Sequence, residues 1–146
     1  MPVDIIIVSP LKRAKVTAEI VKDTIHCPLI IENDLQERCW GIIEGQKRGD
    51  CAYGDIPFAP VKWVKQEIVP EGAESFAQFS DRVTKAVTKH LTTHQNILFV
   101  SHGGVIMALL QAIDKLPSQN IKNTDLYHFI APKPRQTTWN INILNG

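Results

Sequence analysis

The chain has 146 residues, of which 44% are hydrophobic and 21% charged, and its formal net charge is +1. This length fits one domain with a substantial core. The near-neutral balance excludes a general field for nucleic acid or a membrane surface, so any anion site must be a local cluster. Cys27, Cys39 and Cys51 are an odd set with no Cys-x-x-Cys pair, which suits a reducing cytoplasm better than a disulfide framework. Zinc is disfavoured, since His26 beside Cys27 has no second ligand pair nearby. The apolar start is too short for a signal peptide and lacks a basic leader, and no run is long enough to span a bilayer.

In chain order, residues 4–8 (Asp-Ile-Ile-Ile-Val) read as a buried strand. Ser9-Pro10 follows, a favoured N-cap and a favoured first helical residue, so a helix is expected there. Its apolar positions are Leu11, Ala14, Ala18, Val21 and Ile25. Pro28 ends it, and residues 29–31 form a short strand. Residues 34–45 read as a charged loop or short helix between glycines. Residues 46–70 show no sustained period, and Gly54, Pro57 and Pro60 mark an irregular excursion with a short helix at 61–66. Ser75 and Gln78 form a capping-box pattern. The helix behind it carries Phe76, Phe79, Val83, Ala86, Val87 and Leu91 on one face. Residues 97–100 read as a buried strand and 105–110 as a buried helix. Two late strands, 126–130 and 138–144, end the chain, the second alternating Trp139, Ile141 and Ile143 with polar residues as at a wet sheet edge. Alternation of strands and helices predicts an α/β fold with a mainly parallel sheet.

Two strand-to-helix turns look alike, Val8-Ser9-Pro10 and Val100-Ser101-His102-Gly103, and both should lie at one edge of the sheet. At the second, Gly103 and Gly104 open a helix whose backbone N–H groups suit an anion. His102 between strand and helix reads as an anion ligand or proton carrier, against the bland reading of a capped structural histidine. Arg13 and Lys12 oppose the helix dipole. Lys12 reads as a solvated residue, and Arg13 as a fork for an oxyanion. Glu74, on a loop flexed at Gly72, divides evenly between a helix-dipole carboxylate and a proton donor or acceptor, with Glu71 a weaker rival. His26, His90, His94 and His128 lack such a setting. There is no P-loop, no dinucleotide fingerprint, no nucleophile elbow and no cysteine-phosphatase spacing.

The motifs Ser9-Pro10-Leu11-Lys12-Arg13-Ala14, Leu35-Gln36-Glu37-Arg38 with Trp40-Gly41 and Glu44-Gly45, Gly72-Ala73-Glu74-Ser75, and Ser101-His102-Gly103-Gly104 stand in one order. Together they resemble the histidine phosphatase superfamily, in its phosphoglycerate mutase-like branch. The resemblance implies a three-layer α/β/α sandwich and phosphoryl transfer through a phosphohistidine, with no metal and no cofactor. It implies that Arg13, His102 and Gly103 hold the phosphoryl group, that Glu74 and His102 are catalytic, and that Ser9, Glu37, Trp40 and Glu44 wall the site. The substrate would be a small phosphorylated molecule or inorganic phosphate.

The family's Arg-His-Gly motif, with its nucleophilic histidine and the other arginine of its phosphate clamp, is absent, so this chain contains no nucleophile by motif. The expectation is therefore an N-terminally truncated single domain over residues 1–146, without its first, central strand and inactive. Strands 4–8 and 97–100 would then each expose an edge. Three explanations stand. The chain is a fragment of a longer protein, which is favoured; or a partner or homodimer closes the sheet; or the two strands pair directly. Phosphatase is preferred to mutase because the excursion at 46–70 is short, mutase activity staying open for an intact parent. The rival readings are a non-catalytic phosphate-binding or regulatory module and a folded remnant. Lys133 and Arg135 read as surface charge sooner than as a second anion contact.

Overall fold

Four consecutive residues, Ile-Ile-Ile-Val, are all buried in strand β1 (Ile5–Val8). A strand apolar on both faces needs covering layers above and below and partners on each side. The computed structural model describes residues 2–47, 50, 68–115 and 120–144, and supplies all four. β1 pairs in parallel with β2 (Leu29–Ile31), matching Ile6 to Leu29 and Val8 to Ile31. On its other side it pairs in parallel with β3 (Ile97–Val100), matching Ile5 to Ile97 and Val8 to Val100.

Period-two alternation sends the two faces of this sheet into separate cores. Ile6 and Val8 join Leu98 and Val100 under Ala14 and Ala18 of helix α1 (Lys12–Ile25). Ile5 and Ile7 join Ile97 and Phe99 on the opposite face. There they meet Phe79 and Val83 of helix α2 (Phe76–Leu91), and Val105 and Ala108 of helix α3 (Gly103–Ala112). The result is an α/β/α sandwich with a parallel three-stranded sheet. Strands β4 (Tyr127–Ile130) and β5 (Asn140–Ile143) form a separate antiparallel pair. In β5 Ile141 and Ile143 are half-buried while Asn140 and Asn142 are exposed, the alternation expected of a one-sided strand.

The sheet corrects one expectation. β1 and β3 do not leave open edges against each other, because they pair directly over four residues. β1 is therefore the central strand. The far edge of β3 carries no further strand among the described residues, and all four β3 residues stay half-exposed. A second correction concerns α1. It begins at Lys12, with Leu11 as its N-cap and no side-chain cap, so Ser9 does not cap it. In α2, Leu91 is exposed and His90 is buried in its place, where His90 Nε2 donates to Glu32 Oε2 at 2.8 Å. The short helix expected at 61–66 lies outside the described residues.

The capping box that opens α2 is present as read. Gln78 N–H donates to Ser75 Oγ at 3.1 Å, and Ser75 N–H donates to Gln78 Oε1 at 2.9 Å. Ser75→Ala should cost about 1 kcal/mol. Urea unfolding would read this as a lower midpoint with an unchanged slope, and an unmoved midpoint would deny the cap a role in stability.

Candidate functional site

The carboxyl ends of β1 and β3 lie side by side, and each runs straight into a turn. Ser9 follows β1 and His102 is the N-cap of α3. Parallel pairing brings them together: His102 Nε2 and Ser9 Oγ share a hydrogen bond of 2.7 Å, and both side chains are buried. This explains why Ser9 does not cap α1. Its hydroxyl is the partner that a buried imidazole requires, and it also accepts a long 3.4 Å contact from Leu11 N–H.

Arg13, on the first turn of α1, is exposed. Burial, and then the positive charges of Arg13 and Arg82, push the His102 pKa down to about 4. The imidazole is thus neutral at pH 7, held so by burial and by the nearby positive charges of Arg13 and of Arg82, the latter paired with Glu74.

The N-terminus of α3 is already served in part. Glu37 Oε2 accepts from Gly104 N–H at 3.2 Å, and Glu37 Oε1 accepts from Arg38 N–H at 2.9 Å. A Cβ at Gly104 would collide with Glu37 Oε1, so glycine is required there for the carboxylate to come this close. Gly103 is exposed at the same helix start. Glu37, read from the sequence as a wall residue, is thus the internal anion of that helix start.

Glu74 is fixed at every polar group. Its N–H donates to the Cys39 carbonyl at 3.0 Å, and its carbonyl accepts from Arg38 Nε at 2.8 Å. Its carboxylate receives Arg82 Nε at 2.7 Å on Oε1 and Arg82 Nη2 at 2.9 Å on Oε2. Glu74 and Glu37 share a polar cleft of about 550 Å3 with Asn33, Gln36, Cys39 and Arg82. Neither Arg13 nor His102 lines this cleft.

The wall residues lie on the loop that carries Glu37. Trp40 N–H donates to Glu44 Oε1 at 2.9 Å, and Trp40 pairs its backbone with Ala73, the residue before Glu74. The Arg38 guanidinium lies 4.7 Å over the Trp40 ring. Ser101 Oγ donates to the Leu35 carbonyl at 2.7 Å and ties this loop to the end of β3. Sequence-predicted residues therefore fall into two groups: Ser9 and His102, hydrogen-bonded at the sheet edge within the electrostatic reach of Arg13, and Glu37 and Glu74, which line the cleft. Gly104 and Arg82 connect them.

Arg82 and Arg38 were not singled out in the sequence. For Arg82 the signal was its place three residues after Phe79 and one before Val83, an arginine bordering the buried stripe of α2. Its guanidinium indeed lies 4.9 Å from the Phe79 ring centre. Among the described residues no group of three His, Cys, Asp or Glu side chains is placed to hold a metal ion, and no helix is long and apolar enough to cross a membrane.

Comparisons with known proteins concern the chain and its fold as a whole. The chain is 33% identical over 147 residues to the uncharacterized phosphatase PhoE of Bacillus subtilis, covering 95% of this chain and 71% of that protein. It is 35% identical over 115 residues to a metal-independent phosphoserine phosphatase of Arabidopsis thaliana, covering 75% of this chain and 48% of that one. The fold superposes on a mycobacterial glucosyl-3-phosphoglycerate phosphatase in complex with inorganic phosphate, with a TM-score of 0.78 at 22% identity, over 97% of this chain and 76% of that one. The chain thus spans between about half and three quarters of these relatives. The model of the histidine phosphatase superfamily, branch 1, matches residues 1–140, and the chain belongs to that superfamily.

Proposed function

We propose that the chain is a phosphomonoester-binding module of the phosphatase type, with Arg13, His102 and the Gly103 N–H as its phosphate contacts and Glu74 as its proton-carrying group. The observation that carries this reading is the buried Ser9–His102 contact beside the exposed positive charge of Arg13, which acts on that imidazole. A phosphate dianion placed there would meet a guanidinium fork and a helix start together.

Turnover is a separate matter. Five histidines occur in the chain, and only His102 stands at the carboxyl end of the sheet. His26 caps the end of α1, His90 is in α2, His94 follows α2, and His128 is in β4. With no second histidine beside His102, the phosphohistidine route has no nucleophile in this chain, and we propose that the chain alone is inactive. For a whole protein built on this domain, phosphomonoester hydrolysis is the reading we favour, since phosphatases are among its relatives. A second copy pairing along the far edge of β3 would be one way to cover that strand, and solution mass tests it.

Calorimetry with phosphate or vanadate tests binding. Arg13→Ala should weaken it at least about tenfold, the value of a charged hydrogen-bonding pair. Binding indifferent to Arg13, or none in the wild-type chain, removes the reading. A generic phosphomonoester assay tests inactivity: ordinary turnover that disappears in His102→Ala would show that the chain is a complete enzyme.

A further inference from the structure

The cleft group Arg82 has more polar contacts than a surface helix residue needs. Besides its two bonds to Glu74, its Nη1 donates to the Asp34 carbonyl at 2.7 Å and to the Gln36 carbonyl at 3.0 Å. Its Nη2 also donates to the Glu37 carbonyl at 3.3 Å. Both partners of the Arg82–Glu74 pair are largely shielded, with side chains 23% and 16% exposed. The guanidinium plane is therefore held by backbone on one side and by the Phe79 ring beneath it, and presents its fork to the carboxylate on the other.

We propose that Arg82 is the positioning residue of this site: it holds the Glu74 carboxylate in one orientation and cancels its charge toward an incoming phosphate. This rests on the phosphomonoester reading for its purpose, but not for the contact itself. The physical argument is one of alternatives. The Glu74 backbone is already fixed by Cys39 and Arg38, so the side chain's own rotations are the remaining freedom. A bidentate fork removes them, whereas a single ammonium would leave the carboxylate free to swing. An unpaired carboxylate on this loop would also repel the dianion that Arg13 attracts.

Two measurements test the proposal on the intact chain. In the first, the Arg82 Nε–H resonance is followed by NMR in the wild type and in Glu74→Gln, which leaves the three backbone carbonyl contacts in place. A downfield, slowly exchanging signal that moves upfield in Glu74→Gln is expected. A signal indifferent to Glu74→Gln shows that Arg82 only braces the loop and overturns the proposal.

In the second, vanadate binding is measured in Arg82→Met, in Arg82→Lys and in the double variant Arg82→Met/Glu74→Gln. Arg82→Met should weaken binding about tenfold, and removing the freed carboxylate in the double variant should restore it to within about threefold. Arg82→Lys should fall between, keeping the charge and losing the fork. A double variant no better than Arg82→Met overturns the proposal, because a merely structural arginine is not rescued by neutralising Glu74. If the wild-type chain binds no vanadate, the phosphomonoester reading fails, and the Nε–H signal still decides whether Arg82 holds Glu74.

Discussion

Gly41→Ala should destabilise the chain by roughly 4 kcal/mol, combining about 1–2 kcal/mol for a left-handed residue with about 1–3 kcal/mol for overpacking. Gly41 has a φ of +58°, a conformation that favours glycine. More decisively, a Cβ there would strike the Glu71 carbonyl, the Ala73 nitrogen and the Gly72 carbonyl carbon, all backbone atoms of the segment that leads into Glu74. Backbone cannot turn aside as a side chain can. The Ile42 N–H bond to the Glu71 carbonyl, 3.0 Å, and the Trp40–Ala73 bridge would have to open. Gly45 provides the control. Its φ is +78°, yet nothing lies within 4 Å of its absent Cβ, so Gly45→Ala should cost only the backbone share, about 1 kcal/mol. Urea unfolding of the two variants separates the effects, and equal losses would show that close approach at Gly41 does not matter.

The second large effect follows from His102. In the folded chain its pKa is lowered to about 4 by burial, then by Arg13 and Arg82. The unfolded chain takes up that proton near the ordinary value of about 6.5. Between these values the unfolded state binds more protons, so stability rises with pH across the window. The contribution is fully present above about pH 6.5 and is lost as pH falls toward 4, in all about 3 kcal/mol. Unfolding free energies at pH 7 and pH 4 in wild type and His102→Asn should differ in slope by about that amount. Parallel pH profiles would mean that His102 is not kept neutral. Arg13→Met should narrow the window by raising the His102 midpoint, which NMR titration would report directly.

What could be read from residues alone follows a physical line. Patterns within one element were legible: the apolar run of β1, the Ser75–Gln78 box, and the Phe76, Phe79, Val83 stripe all record local periodicity and capping. Pairing between elements was not. Nothing in Asp4-Ile5-Ile6-Ile7-Val8 states whether its neighbour is β2, β3 or an additional strand, because apolar parallel strands are alike to one another. Ser9 shows the same limit within a site. A serine before a proline reads as a cap, yet the buried imidazole across the sheet claims its hydroxyl. Arg82, and the part Glu37 plays at the start of α3, were hidden for a further reason. A charged residue on a helix reads as solvated, and only the fold brings Arg82 to Glu74 and Glu37 to Gly104.

The pairing of β1 with β3 also sets when the molecule can fold. Asp4 and Asn96, which open the two strands, are 92 positions apart. At a synthesis rate of about 5–20 residues per second, β1 is synthesised roughly 5–20 s before its partner. During that interval β2 offers one edge, and the other side of Ile5–Val8 stays open, a fully apolar edge without its neighbour. Closing so long a loop carries an entropy cost of about 4 kcal/mol before any contact repays it. The central strand is thus made long before its pairing with β3 can be completed. A nascent chain halted before residue 97 should depend on chaperones in a way the finished chain does not.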